Sequence, residues 1–247
     1  MPAELRRFDT LEALSRAAAD ELVAIVRDAV TARSVAHVAL SGGSTPKKLF
    51  QRLAAMGPGA LPWDRIHLWW GDERTVSPDH ADANYRMTRE ALLDPLALDP
   101  TRIHRIRGES ADHEASARDY ERALVAALGA PPVFDYVMLG MGPDGHTASL
   151  FPGSPALAET ARWVVANPVN SPLTKGATTR ITLTAPALNA GRNIRFLAGG
   201  ADKAAPLAEV LEGARNIQTY PSQLIAPSHG GSLVWFVDHA AAAKLGS

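Results

Sequence analysis

Val133-Phe134-Asp135-Tyr136-Val137-Met138-Leu139 runs straight into Gly140-Met141-Gly142-Pro143-Asp144-Gly145-His146-Thr147-Ala148-Ser149-Leu150-Phe151-Pro152. The first part is short and mostly apolar, the pattern of a strand buried on both faces of a parallel sheet. The second part opens with glycines at 140, 142 and 145, which let the backbone turn sharply and approach a ligand closely. In an open α/β sheet, ligands bind just beyond the carboxyl ends of strands. Asp144 and His146 therefore stand where chemistry is expected. Asp-Gly-His alone is an ordinary turn; its weight comes from what surrounds it in the chain.

Upstream, Leu11, Leu14, Ala18, Leu22, Ile25, Val26 and Ala29 recur at helical spacing, predicting a helix over 11–32 with Thr10 as its N-cap. Val35 to Leu40 reads as a short apolar strand, with His37 a core or pairing residue. Ser41-Gly42-Gly43-Ser44-Thr45-Pro46 follows directly, and a helix is expected from Pro46 onward. Strand, Gly-Ser-Thr turn and helix N-terminus form a phosphate-binding arrangement: free N–H groups, the helix dipole and hydroxyl donors converge. Neither the dinucleotide fingerprint nor the P-loop is present, so the anion inferred is a simple phosphate. Lys47 and Lys48 fall on the solvent side. Ile66 to Trp70 is the next strand and ends in Gly71-Asp72-Glu73-Arg74. A polar, turn-rich stretch over 75–85 then leads into a helix over 86–93. A short strand over 103–106 carries His104 and Arg105, and a helix is expected over 111–128, closed by Gly129 and Pro131-Pro132.

Downstream, Arg162 to Ala166 reads as a strand, 167–178 as a polar loop with two prolines, and Arg180-Ile181-Thr182-Leu183-Thr184 as a half-buried strand. Asn193 to Ala198 is another strand, followed by Gly199-Gly200-Ala201-Asp202-Lys203 and a helix to about Leu211. Lys203 at that helix start opposes the dipole, a cost of a few tenths to about 1 kcal/mol that a nearby anion offsets. Leu233 to Val237 is the last strand, with a short terminal helix over 238–245. Strands alternating with helices predict an α/β fold with a mainly parallel sheet. Without a repeat or linker, residues 1–247 read as one domain.

Composition narrows the function. A formal net charge of −1 lacks the basic excess of a nucleic-acid or membrane-surface binder, yet it accommodates a few clustered cations facing an anionic small substrate. Cysteine is absent, which excludes disulfides, thiol catalysis and thiolate metal sites. The stretch Met1 to Asp9 has no apolar core of a secretory signal. The eight histidines are scattered, with no His-Glu-x-x-His pair.

The central loop, the Gly-Gly-Ser-Thr-Pro turn and Trp70-Gly71-Asp72-Glu73-Arg74 together resemble the 6-phosphogluconolactonase family. So do Arg180 to Thr184, Gly200-Ala201-Asp202-Lys203-Ala204 and Trp235-Phe236-Val237-Asp238, in the family's order. The resemblance implies a NagB-like modified Rossmann fold and hydrolysis of 6-phospho-D-glucono-1,5-lactone, with no cofactor and no metal. It makes His146 the catalytic base and Arg74, Arg180 and Lys203 the basic, substrate-contacting positions. Ser41, Gly42, Gly43, Ser44 and Thr45 become the phosphate turn, and Asp72 and Asp144 acidic site residues. Which of the two supports His146 stays open at this point, and backbone N–H groups between Gly140 and Gly145, helped by Arg74, are the expected oxyanion donors. The expected partner is a small phosphosugar lactone rather than nucleic acid or membrane, met by a cytoplasmic monomer or weak homo-oligomer. Glucosamine-6-phosphate deaminases share the superfamily, but they carry Tyr at the position of Arg74. They also run Ile-Ala-Phe-Asn-Glu-Pro where this chain has Thr147 to Pro152. A sugar-phosphate sensor on the same fold is disfavoured because only one helix precedes Val35, with no helix-turn-helix.

Overall fold

A computed structural model describes residues 3–228 and 230–246; Met1 and Pro2, part of the stretch read above for a signal, lie outside them. The elements in order are β1 (Glu4–Phe8), α1 (Leu11–Arg33), β2 (Ala36–Leu40), α2 (Ser44–Ala55), β3 (Ile66–Trp70), β4 (Asp72–Arg74), α3 (Asn84–Thr88), β5 (Ile103–His104), α4 (His113–Leu128) and β6 (Tyr136–Gly140). Then come β7 (Val164–Ser171), β8 (Gly176–Leu183), α5 (Ala185–Asn189), β9 (Asn193–Ala198), α6 (Ala204–Leu211) and β10 (Ser232–Asp238). Seven strands form one sheet in the order β1-β10-β9-β6-β2-β3-β5, and every pair in it is parallel. A small antiparallel sheet, β4-β8-β7, stands beside it. The predicted α/β class is what the chain adopts.

Local signals account for much of this. Thr10 Oγ1 accepts the Ala13 N–H at 3.1 Å and starts α1, and Asp112 accepts the Ala115 N–H at 2.8 Å and starts α4. Leu14, Ala18, Leu22, Val26 and Ala29 form the buried stripe of α1, and Tyr136 to Leu139 are almost wholly buried in β6. A strand so enclosed must be apolar on both faces, as the sequence is.

Several expected boundaries move. Gly43, at φ +110°, is the N-cap of α2, so the helix begins at Ser44 and Pro46 sits in its first turn, where a missing N–H costs nothing. The helix expected over 86–93 starts at Asn84 and gives way to a π-turn over Arg89–Leu93. The loop expected over 167–178 is the end of a hairpin: β7 runs to Ser171, which pairs with Gly176. Pro168 is tolerated because β7 is an outer strand. The expected terminal helix over 238–245 is a set of turns, tied down by Asp238, whose Oδ1 accepts N–H groups from Gly200 at 3.1 Å and Ala241 at 2.8 Å. β1 was not expected at all.

The topology fixes where a ligand can enter. From β2 the chain moves outward through β3 to β5, then returns to lay β6 on the other side of β2. The strand order reverses there, and the crevice beyond the β2 and β6 carboxyl ends is the natural ligand position of an open α/β sheet. The Ser41–Gly43 turn and the loop after Gly140 leave the sheet side by side: a Cβ on Gly140 would lie 3.8 Å from Ser41 Oγ.

Candidate active site

Four adjacent strands, β9, β6, β2 and β3, deliver their following segments to this crevice. After β6, the loop folds on itself. The Gly142 N–H donates to the His146 carbonyl at 2.8 Å, and the Gly145 N–H to the Gly142 carbonyl at 3.0 Å. Gly142 has no alternative: a Cβ there would lie 2.1 Å from His146 Nδ1 and 2.7 Å from Asp144 Oδ1. Gly145 adopts φ +77°, a region that costs other residues. The result is a His146 ring laid over the loop backbone and stacked on Phe151, with ring centres 4.1 Å apart.

His146 Nδ1 lies 2.5 Å from Asp144 Oδ1, which also accepts the His146 backbone N–H at 3.1 Å. Burial pushes the Asp144 carboxyl up, but its bonds to the His146 side chain and amide and the charge of the imidazole outweigh this, leaving it below the usual carboxylate range. An ionised Asp144 fixes the proton on Nδ1 and leaves Nε2 as the free nitrogen. Asp72 does not meet the imidazole. It is 7% exposed; its Oδ2 accepts from Ser149 Oγ at 2.6 Å, and its carbonyl accepts from the Asn84 carboxamide at 2.9 Å. Of the two acidic candidates, Asp144 is the one paired with His146.

A cavity of about 280 Å³ opens in front of His146, lined also by Ser41, Gly42, Gly43, Asp72, Arg74, Asn84 and Lys203. It shares Gly42, Gly43, Gly140, Met141 and Lys203 with a smaller space of about 170 Å³ lined by Ser44 and Thr45. Among the described residues no side chain caps α2, so its first N–H groups face this second space without a protein acceptor. Lys203 Nζ pairs at 2.8 Å with the exposed Asp202 carboxylate. The two spaces form one crevice, with the His146–Asp144 pair at one end and the uncapped start of α2 at the other.

Arg74 lines the larger space and donates to the Asp82 carbonyl. Arg180 lies directly opposite it across the β4–β8 pair and does not line either space. Burial, then the Arg74 charge, lowers the Arg180 pKa from its ordinary value. Among the described residues neither guanidinium has a carboxylate within 4.0 Å. Asp72, Glu73 and Asp82 offset part of the Arg180 charge from farther away, so the two guanidiniums keep their donors free of direct ion pairs, which leaves them open to an anionic ligand. His104 and Arg105 sit elsewhere: His104 stacks on Trp69 and Arg105 pairs with Glu109.

Three lining or supporting residues escape a reading of the sequence alone. Asn84 fits so tightly against the Ser41–Thr45 turn that a Cβ on Gly42 would lie 1.8 Å from its Oδ1. Ser149 braces Asp72. Leu173, 46% exposed, reaches the cavity from the β7–β8 hairpin. Asn84 leads an unremarkable polar segment and Leu173 lies in what reads as a loop, so no local pattern marks either.

Residues 9–235 match the family described as glucosamine-6-phosphate isomerases/6-phosphogluconolactonase. The chain belongs to this family. It is 40% identical over 224 residues to a 6-phosphogluconolactonase from Synechocystis, an alignment covering 89% of each chain. It superimposes on 6-phosphogluconolactonase from Trypanosoma cruzi with a TM-score of 0.88 at 28% identity, covering 100% of this chain and 99% of that one. A monomeric glucosamine-6-phosphate deaminase of the NagB superfamily shares the fold, with a TM-score of 0.82 at 23% identity, covering 98% and 99% of the two chains. The NagB-like architecture expected from the sequence is therefore the one observed. Among the described residues no helix is long and apolar enough to cross a membrane.

Proposed function

We propose that this chain hydrolyses 6-phospho-D-glucono-1,5-lactone to 6-phospho-D-gluconate, the second step of the oxidative pentose phosphate pathway, with His146 as the general base. The observation that carries the reading is the His146–Asp144 pair, its Nε2 free, in one crevice with the uncapped α2 N-terminus and Lys203. The lactonase relatives support the choice of substrate.

A δ-lactone is an activated ester, so its opening needs a positioned water and a base more than a covalent nucleophile. With the 6-phosphate on the Ser41–Thr45 turn and Lys203, C1 falls toward His146. Water attacks C1 as Nε2 takes its proton, and the ionised Asp144 stabilises the imidazolium. The carbonyl electrons move onto oxygen. Gly142 and Gly145 spend their N–H groups inside the loop, which removes two of the five backbone donors between 140 and 145, Pro143 having none. Arg74 takes the larger share of that charge. The tetrahedral adduct then collapses: the C1 carbonyl re-forms, the bond from C1 to the ring oxygen breaks, and the imidazolium returns its proton to that oxygen. The new carboxylic acid ionises in water. Arg180 sits behind Arg74 as a second cation rather than as a direct phosphate ligand. Binding energy from the remote phosphate orders the reacting groups and so contributes to the rate.

The test uses lactone made freshly by glucose-6-phosphate dehydrogenase, with the spontaneous opening rate subtracted and EDTA present. Acceleration that persists in EDTA and is lost in His146→Ala supports the reading. No acceleration by folded protein overturns it.

A further inference from the structure

Glu73 is 3% exposed, and among the described residues no cation lies within 4.0 Å of its carboxylate. A buried carboxylate without a counter-ion is expensive, so its surroundings call for an explanation. All three of its hydrogen-bond donors are backbone amides. Oε1 accepts from the Arg74 N–H at 2.8 Å and the Asn84 N–H at 2.7 Å, and Oε2 accepts from the Tyr85 N–H at 2.8 Å. The first amide begins the excursion over 75–83 and the other two end it. Both ends carry a side chain into the cavity, Arg74 at one and Asn84 at the other. Arg74 also reaches across the excursion to the Asp82 carbonyl.

We propose that Glu73 is a positioning residue: its carboxylate staples the two ends of the 75–83 excursion together and so holds Arg74 and Asn84 against the substrate. The inference rests on the lactonase reading for what Arg74 does, but the staple itself is a property of the free protein. One carboxylate fixes two cavity residues from different elements, which no single backbone hydrogen bond in this segment does. Burial drives the Glu73 pKa up to about 7, against the lowering effect of its three amide donors, and the Asp72 charge beside it pushes the same way. Arg105, Arg180 and the buried Tyr120 hydroxyl also feel the Glu73 charge. The deprotonated form is the full acceptor, so the staple weakens as pH falls through about 7.

Glu73→Gln keeps the side-chain shape but replaces one acceptor oxygen by a donor, and Glu73→Asp retracts the same carboxylate. Two measurements decide the matter. The first is amide exchange over 74–85 in the free protein. Glu73→Gln is expected to speed exchange at Arg74, Asn84 and Tyr85 at least tenfold at pH 8 while the sheet strands stay protected. The second is a double-mutant cycle with Arg74→Ala on lactonase kcat/KM. Glu73→Gln alone is expected to lower it about tenfold, and to add less than twofold once Arg74 is gone. His146 as base gives wild type and Glu73→Gln alike an acid limb in kcat/KM, so the Glu73 titration is read in the exchange instead: with intrinsic rates corrected for, wild type is expected to lose protection at Arg74, Asn84 and Tyr85 as pH falls through about 7, and Glu73→Gln to show no such step. Unchanged exchange, or an additive cycle, overturns the proposal. If wild type fails to hydrolyse the lactone, the functional reading falls by itself, and the exchange pattern alone then decides whether Glu73 is the staple.

Discussion

The two ends of the central sheet treat charge in opposite ways. At the amino end, Asp135 just before β6 has a side chain only 5% exposed and fully engaged. Its Oδ1 accepts from Arg33 at 2.6 Å and stands 3.5 Å from Arg192, while Oδ2 accepts the His37 N–H at 2.9 Å. Its own carbonyl accepts from the Asn193 carboxamide at 2.9 Å. At the carboxyl end, Arg74 and Arg180 face each other across the small sheet with no carboxylate within 4.0 Å among the described residues, α2 starts without a cap, and Lys203 leans on an exposed Asp202. β6 thus runs from an ion-paired carboxylate before it to a crevice of open donors after it. Uncapped N–H groups and a lysine lining one crevice are the mark of a surface held ready for an anion. Substitutions at the two ends should separate activity from stability.

The largest effect is expected at the carboxyl end. His146→Ala should lower kcat by about 100-fold or more with a melting temperature close to wild type, since the ring stacks on Phe151 in a loop rather than in the core. Steady-state kinetics with a parallel thermal melt checks both halves. Retained turnover would remove His146 as the base. The converse belongs to the amino end. Asp135→Ala removes the acceptor of one backbone and two guanidinium donors and should cost about 2 kcal/mol of unfolding free energy, with kcat/KM per folded molecule unchanged. Urea unfolding gives the first number and active-site-normalised kinetics the second. A loss of activity equal to that of a crevice variant would break the comparison.

How far the chain announces this contrast depends on how local each feature is. The β6 strand, the glycine loop and the caps of α1 and α4 are written in neighbouring residues and are legible directly. His146 and Asp144 are two residues apart, so their pairing needs only a tight loop. The sequence offers Asp72 equally well, because it too follows a strand; only the bonds to Ser149 and Asn84, 77 and 12 positions away, show that it is occupied. β1, Glu4-Leu5-Arg6-Arg7-Phe8, carries three charges in five residues and becomes a strand through its parallel register with β10. The hairpin of β7 and β8 hides behind Pro168 and Pro172 for the same reason: its order comes from cross-strand pairing, which no local pattern encodes. Glu73 sits in a motif that is easy to see, yet its role depends on amides beyond an irregular excursion.

A milder test addresses the cradle. Lys203→Ala should raise KM about tenfold or more, the worth of a hydrogen bond to a charged group, and leave kcat nearly intact if the contact is equal in ground and transition states. A fall in kcat at unchanged KM would move Lys203 from the phosphate to the reacting centre and blur the division of the crevice into a cradle and a base.

The smallest effect is the most diagnostic of the contrast, because its sign is opposite to the usual one. Arg180 faces Arg74 directly across an antiparallel pair, where like charges cost roughly 0.2–1 kcal/mol. Burial first, then the Arg74 charge, lowers its pKa, so the folded state disfavours the charged form. The sign follows from linkage. A base whose pKa is lower folded than unfolded costs stability at every pH below the folded value, so the cost is constant across neutral pH and no titration near pH 7 reveals it. Arg180→Met keeps the buried aliphatic stem and removes the repulsion. It should therefore raise unfolding free energy by about 0.5 kcal/mol while weakening activity through the loss of positive charge behind Arg74. A stabilised but poorer enzyme means that the carboxyl end is maintained at the expense of the fold, as sites selected for binding rather than stability often are. If Arg180→Met destabilises instead, the guanidinium is packing the β4–β8 pair more than it repels Arg74, and the contrast between the two ends holds for Lys203 and α2 but not for the small sheet.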